Sequence, residues 1–134
     1  DGVIDIYLPD FKYQDGKLAS KYSSGADDYP KVAAEVIKEM HRQVGELTVD
    51  EEGIAQRGLI IRHLVMPKNI AGTDRFVRWV AEELTSTTYV NIMAQYRPEH
   101  EAFDFPEISR RITHDEWKQA VAWAKEAGLT NLDE

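Results

Sequence analysis

Gly58-Leu59-Ile60-Ile61-Arg62-His63-Leu64-Val65, stopped by Met66-Pro67, is the stretch whose reading decides the fold. Aliphatic side chains fill odd and even positions alike, which marks a strand buried on both faces, as in a parallel sheet covered by helices. Upstream, residues 3–8 (Val3-Ile4-Asp5-Ile6-Tyr7-Leu8) have the same character, and Pro9 stops them. Between the two lies a helix from about Tyr29 to Val44, with Asp28 as N-cap, Pro30 in the first turn and Gly45 just past the end. Val32, Val36, Ile37, Met40 and Val44 are expected on its inner face. Residues 17–22 fit a short helical turn, and the acidic residues 47–57 leave room for a short extra strand or turn.

Downstream, Thr73 or Asp74 opens a helix with an apolar stripe of Phe76, Val77, Val80, Ala81 and Leu84. Tyr89 to Met93 is a third strand, followed by an irregular stretch, residues 95–106, rich in Pro and charge. The last helix opens on Thr113-His114-Asp115-Glu116, a capping box in which the Thr hydroxyl and the Glu carboxylate each take an orphan backbone N–H. Trp117, Ala120, Val121 and Ala124 line its inner face, and Gly128 ends it. Three β–α units with short loops predict one α/β domain over residues 1–134, with parallel strands and right-handed crossovers. Three strands make an incomplete sheet, so further strands upstream or an oligomer covering the open edge is expected.

Sixteen basic against 24 acidic residues leave a formal charge of −8, a field that repels nucleic acid and anionic lipid. No apolar stretch approaches the ~20 residues needed to span a bilayer, and Asp1-Gly2-Val3 does not read as a signal peptide. The chain has no cysteine, hence no disulfide and no thiolate metal site, which fits a cytoplasmic protein.

In parallel α/β folds ligands gather at the carboxyl ends of strands, and here all three ends are polar. Asp10 and Lys12, two apart in extended chain, point to one side and offer an anion and a cation to an amino-acid-like ligand; a structural ion pair is the plainer reading. Arg62 needs a partner such as Asp10 if buried. His63, its neighbour, faces the other side and reads as a satisfied core histidine before a catalyst. Asn91 also needs partners, and Gln95, Tyr96 and Arg97 could hydrogen-bond a ligand or close a loop. His41 is placed on the exposed side of its helix. No two histidines have metal-ligand spacing, and Ser23-Ser24 lacks a nucleophile signature.

Taken together, these strand ends resemble a known family. Asp10-Phe11-Lys12 looks like the Asp-Leu-Lys element of the glycyl-radical activating enzymes, and Ile61-Arg62-His63-Leu64-Val65-Met66-Pro67 is similar to their Ile-Arg-Tyr-Val-Val-Val-Pro strand. The wider stretches at residues 5–13, 40–45 and 93–98 resemble homologues of the pyruvate formate-lyase activating enzyme, so the likeness runs along essentially the whole chain.

The resemblance implies the C-terminal three β–α units of a partial (β/α)6 TIM-like barrel in a radical S-adenosylmethionine (SAM) enzyme. It implies a [4Fe–4S] cluster held by a Cys-x-x-x-Cys-x-x-Cys loop that these residues do not contain, so the isolated chain is expected to be inactive. In such enzymes the cluster reduces SAM to a 5′-deoxyadenosyl radical that abstracts hydrogen, and the partner is a glycyl-radical enzyme or another protein substrate. Carried over by position, Lys12 would meet the SAM carboxylate, and Asp10 the methionine moiety and a monovalent cation. Arg62 would line the cavity. Gln95 falls near a family His that contacts the ribose, while His63 replaces a Tyr and inherits no role.

Two other readings stand beside this one. The first is a non-enzymatic α/β module that binds a partner through its open sheet edge. The second is a cofactor-independent hydrolase using Asp10, His63 and a carboxylate such as Glu99, which requires His63 to face the cavity.

Overall fold

The computed structural model describes residues 2–12, 21 and 28–133. In chain order the main elements are β1 (Ile6–Tyr7), α1 (Tyr29–Val44), β2 (Thr48–Val49), β3 (Ala55–Leu64), α2 (Thr73–Glu83), β4 (Tyr89–Met93), α3 (His114–Glu126) and β5 (Leu132–Asp133). Short 3-10 turns lie at Pro67–Asn69, His100–Asp104 and Pro106–Ile108. The helical turn expected at 17–22, apart from Lys21, and Ser23-Ser24 lie outside the described residues.

The long strand β3 organises the sheet. Its parallel order is β1-β3-β4-β5, and β2 runs antiparallel against the start of β3. Successive amides of β3 serve different neighbours: Gly58 N–H donates to Asp5 O at 2.8 Å, and Leu59 N–H to Gly45 O at 3.1 Å. The α/β class and parallel sheet expected from sequence are present. The fourth parallel strand, β5, was not expected, because two residues after a helix carry no periodicity to read.

Burial on both faces is corrected. Tyr7, Phe11, Leu59, Ile61, Val65, Val90 and Ile92 join Ile37 and Val44 of α1, Phe76, Val77 and Val80 of α2, and Ala120, Val121 and Ala124 of α3 in one core. All three helices therefore pack on the same side. The alternate residues face away from that core, and Ile6 and Leu8 stay 38% and 51% exposed. Only Ile6 and Tyr7 of the expected 3–8 strand join a ladder, with Asp10 adding a single bridge to Arg62. In α1, Ile37 and Val44 are buried, whereas Val32 and Val36 remain about half exposed, so the inner stripe is narrower than expected.

The helix ends follow local chemistry. Gly45 adopts φ 73° and closes α1 by donating to His41 O at 2.8 Å. Asp28 stands at the N-cap of α1, but its side chain makes no capping bond. The residue before α2 is Gly72, in the left-handed region, and the Asn69 amide oxygen accepts from Thr73 N–H at 2.9 Å. The capping box of α3 is complete, with Glu116 N–H donating to Thr113 Oγ1 at 3.1 Å and Thr113 N–H to Glu116 Oε1 at 2.8 Å.

Glu116 does more than cap. It also accepts from Lys68 N–H at 2.5 Å and from Arg110 Nη1 at 2.7 Å, tying the turn after β3 to the start of α3. Lys68 and Asn69 both sit at positive φ, 56° and 55°, a conformation that non-glycine residues hold only when the surroundings over-determine it. The Arg110 bond, followed by the backbone donors, brings the Glu116 carboxyl from 4.5 down to about 2. Its contribution is therefore present above pH ~4.5 and is lost as pH falls towards 2. Glu116→Ala removes the cap and the charge-assisted bonds together and should cost about 2–3 kcal/mol at pH 7. Urea denaturation checks this, and a loss below about 0.5 kcal/mol would show that the turn and α3 hold without it.

Candidate functional site

Asp10 and Arg62 meet at the carboxyl ends of the β1 line and β3. Arg62 Nε donates to Asp10 Oδ1 at 2.6 Å and Nη2 to Oδ2 at 3.0 Å, a two-pronged pair on the uncovered face. Both side chains are about 40% exposed, so as a stabilising contact the pair contributes only ~0–1 kcal/mol. The carboxylate and guanidinium stay accessible to a ligand while each fixes the direction of the other.

The segment that carries Asp10 is held from behind. Phe11 N–H donates to Arg62 O and Arg62 N–H to Pro9 O, each at 2.9 Å. The Tyr29 hydroxyl donates to Asp10 O at 3.2 Å and accepts from Lys12 N–H at 3.0 Å. The Phe11 ring is buried against Phe76 and Trp79, with centroids 5.2 and 5.5 Å away. Phe11 thus points into the core while its neighbours Asp10 and Lys12 project from the other side of the chain. Lys12 is exposed, and its ammonium forms no ion pair with a described residue.

Parallel register extends a polar row from this pair. Arg62 lies opposite Asn91 on β4, and Asn91 opposite Asp133 on β5. The Tyr89 phenol, on the same face, is shifted up by burial first and by the neighbouring Asp133 carboxylate second. Sequence reasoning flagged Asn91 as needing partners but had no means of aligning it with Arg62, because register between distant strands is a tertiary property. Gln95 is exposed two residues past β4 and makes no hydrogen bond to a described residue. The structure therefore brings together Asp10 and Arg62, places Lys12 next to them, and leaves Gln95 outside the hydrogen-bonded set.

His63 lies on the helix side, fully buried. Its Nδ1 is 2.8 Å from Phe11 O and its Nε2 2.8 Å from Thr73 Oγ1. A carbonyl oxygen only accepts, so Nδ1 carries the proton and the neutral ring accepts the Thr73 hydroxyl proton at Nε2. The ring stacks on Phe76 at 4.3 Å between centroids. Desolvation outweighs the Phe11 bond and depresses its pKa to about 4. Both nitrogens are used away from the open face, which removes the geometry that an Asp10–His63 hydrolase needs. Thr73, its second partner, was not foreseen. The expectation for His41 is corrected as well: its Nε2 is buried and has no hydrogen-bond partner among the described residues.

Among the described residues no group of three His, Asp or Glu side chains is arranged to hold a metal ion. No helix in them is long and apolar enough to cross a membrane.

The geometry defines an α/β protein with charged groups displayed where a parallel sheet presents its ligands. The chain is 34% identical over 129 residues to an uncharacterized protein of Methanocaldococcus jannaschii, an alignment covering 96% of this chain and 33% of that protein. It thus spans about a third of the length of this relative. No protein-family model matches the chain, and no solved structure does.

Proposed function

We propose that this chain forms the C-terminal three β–α units of a partial (β/α)6 barrel in a radical SAM enzyme of the glycyl-radical activating type. The observation that carries the proposal is the Asp10–Arg62 pair on the uncovered sheet face, with Lys12 beside it. In a closed or partly closed barrel that face would be the interior, which accounts for Ile6 and Leu8 being open here. A protein with the proportions of the archaeal relative has room for the remaining units.

The residues present suit one component of that chemistry and not the other. With no cysteine, the chain cannot supply thiolates to an iron–sulfur cluster, so the cluster belongs to the rest of the protein. The aminoacyl end of SAM does suit the strand-end site: the Lys12 ammonium pairs with its carboxylate, and the Asp10 carboxylate accepts its ammonium. Arg62 keeps Asp10 aimed through its two-pronged bond, and Gln95 is assigned the ribose contact on the resemblance alone. When bound, SAM supplies the 5′-deoxyadenosyl group that abstracts a substrate hydrogen, from a glycyl-radical enzyme or another protein. These residues would do the holding and orienting.

In the full-length protein, Lys12→Ala should weaken SAM binding at least tenfold, about 1.4 kcal/mol or more. Equilibrium dialysis with labelled SAM measures this, and 5′-deoxyadenosine formation after reconstitution with iron and sulfide tests the class of reaction. Exposed Val3, Ile4, Ile6 and Leu8 favour the partner-binding module as the second reading, with the sheet edge also able to join copies of the chain. On that reading the full-length protein binds no SAM and Lys12→Ala changes nothing.

A further inference from the structure

Past β4 the surface holds a second polar hollow that plays no part in the strand-end site. It is a wide-open depression of about 450 Å³, lined by Arg97, Pro98, Glu99, Ser109, Arg110 and Arg111. In a chain of net charge −8 the gathering of three guanidinium groups around one depression runs against the overall field. Arg97 follows the last residue of β4 by four positions, and Arg110 and Arg111 lie three and two residues before Thr113, the N-cap of α3. The hollow therefore belongs to the loops at the carboxyl end of the sheet, where ligands of parallel α/β proteins bind.

The three arginines are not equivalent. Arg110 is oriented by Glu116, with Nη1 at 2.7 Å from Oε1 and Nη2 at 3.3 Å from Oε2, and Nη1 also donates to Arg111 O at 2.9 Å. Of its donors, Nε–H and one Nη2 hydrogen remain unused. Arg97 and Arg111 are exposed, and neither forms an ion pair with a described residue. Glu99 opposes them with one carboxylate. Ser109 adds no donor, because its hydroxyl already gives its proton to Pro106 O at 3.0 Å.

Another hollow, on α2, provides the contrast. There Arg75 and Arg78 stand beside Glu82 and Glu83, and Arg78 also pairs with Asp74, so its cations are offset. In the first hollow Arg97 and Arg111 exceed Glu99 by one charge. The planar guanidinium fork matches an oxyanion with two acceptor atoms.

We propose that the Arg97–Arg111 hollow binds the oxyanion of a small phosphorylated or carboxylated molecule. Arg97 and Arg111 are its principal ligands, and Arg110 is held in place by Glu116. The site shares no lining residue with the Asp10–Lys12 pair and does not depend on the SAM reading.

The test is the phosphorus NMR line width of inorganic phosphate titrated with the full-length protein, followed by displacement with glycerol phosphate or tricarballylate. Saturable broadening is expected, weakened about tenfold in the double variant R97A/R111A and partly retained in R97K/R111K, which keeps the charges but not the forks. Displacement by glycerol phosphate identifies a phosphate ester, and displacement by tricarballylate a carboxylate; either supports an oxyanion site. R75A/R78A should leave the binding unchanged. Absence of saturable broadening, an equal loss in R75A/R78A, or a loss caused by K12A with R97A/R111A unaffected would each overturn the inference. Because the last result places the anion at the strand-end Lys12, failure here is distinguishable from failure of the SAM reading.

Discussion

Gly58→Ala is expected to destabilise the protein by roughly 3–5 kcal/mol, a large effect for one added methyl group. Gly58 has φ 121°, outside the region that residues with a Cβ readily occupy. An added Cβ would also lie 2.5 Å from both Glu46 C and Leu47 Cα and closer still to Glu46 O. These are backbone atoms of the segment between α1 and β2, which runs against β3 at the Glu46–Leu59 bridge, so no side-chain rotation relieves the clash. Either the Glu46-Leu47 segment is pushed from β3 or Gly58 changes conformation and gives up its bond to Asp5 O. Both outcomes reach the site, because the β1 line is pinned to β3 through that bond and through Arg62. Urea unfolding at neutral pH measures the effect. A loss below about 1 kcal/mol would show that the strand adapts at little cost and that the close approach is not a constraint. Gly53→Ala is the natural control, since no atom lies within 4 Å of its added methyl although φ is also positive, at 80°.

Much of the fold was legible because the chain punctuates itself. Pro9 and Pro67 close apolar runs, Gly45 and Gly128 end helices, and the Thr113–Glu116 box opens one, and each of these acts through a bond or a steric limit within a few residues. The uncovered face could not be read. Ile60 and Leu64 are as apolar as Leu59 and Ile61, so composition assigns both faces of β3 to a core, while the helices cover one. The requirement at Gly58 was hidden for a related reason, since it depends on Glu46 and Leu47 crossing behind it.

At the site, Asp10 and Arg62 were legible as charges that need each other on strands that must be neighbours. Lys12 followed by strand parity. Asn91, Asp133 and Thr73 depended on register or on packing across a crossover, neither of which leaves a local mark. Gln95 entered only through resemblance, and it is the member that the structure leaves apart from the hydrogen-bonded pair.

Strand parity also divides the labour at the candidate site. Asp10 and Lys12 face the open side, whereas Phe11 between them is locked into the core by Phe76, Trp79 and His63. A segment with a buried middle and charged flanks holds its charges in fixed directions without placing them in a low-dielectric interior, where they would be costly. The modest energy of the Asp10–Arg62 pair therefore does not measure its importance to geometry. Aim comes from the packing behind it, and His63 is the polar group in that packing.

Replacing His63 by Phe separates these effects. The aromatic ring keeps its stack on Phe76 but leaves Phe11 O and the Thr73 hydroxyl without their partner, an expected loss of about 2–4 kcal/mol at pH 7. The pH dependence should change too. In the folded protein the His63 pKa is lowered from 6.5 to about 4, so the unfolded chain takes up this proton first. Its stabilising effect is whole above pH 6.5 and falls away by about 3 kcal/mol as pH drops towards 4. Glu116 acts in a lower window, from about 4.5 towards 2, so the two contributions separate along the pH axis. Urea midpoints of the parent protein should therefore decline between pH 7 and pH 5, and those of His63→Phe should decline less over the same range. An equally steep decline in the variant would mean that His63 takes up its proton over the same pH range folded and unfolded, and the lowering of its pKa by burial would be wrong. If the proposed SAM site is right, a variant with the expected pH profile should also bind SAM more weakly in the full-length protein, because Phe11 O is the point through which His63 holds the Asp10–Lys12 segment.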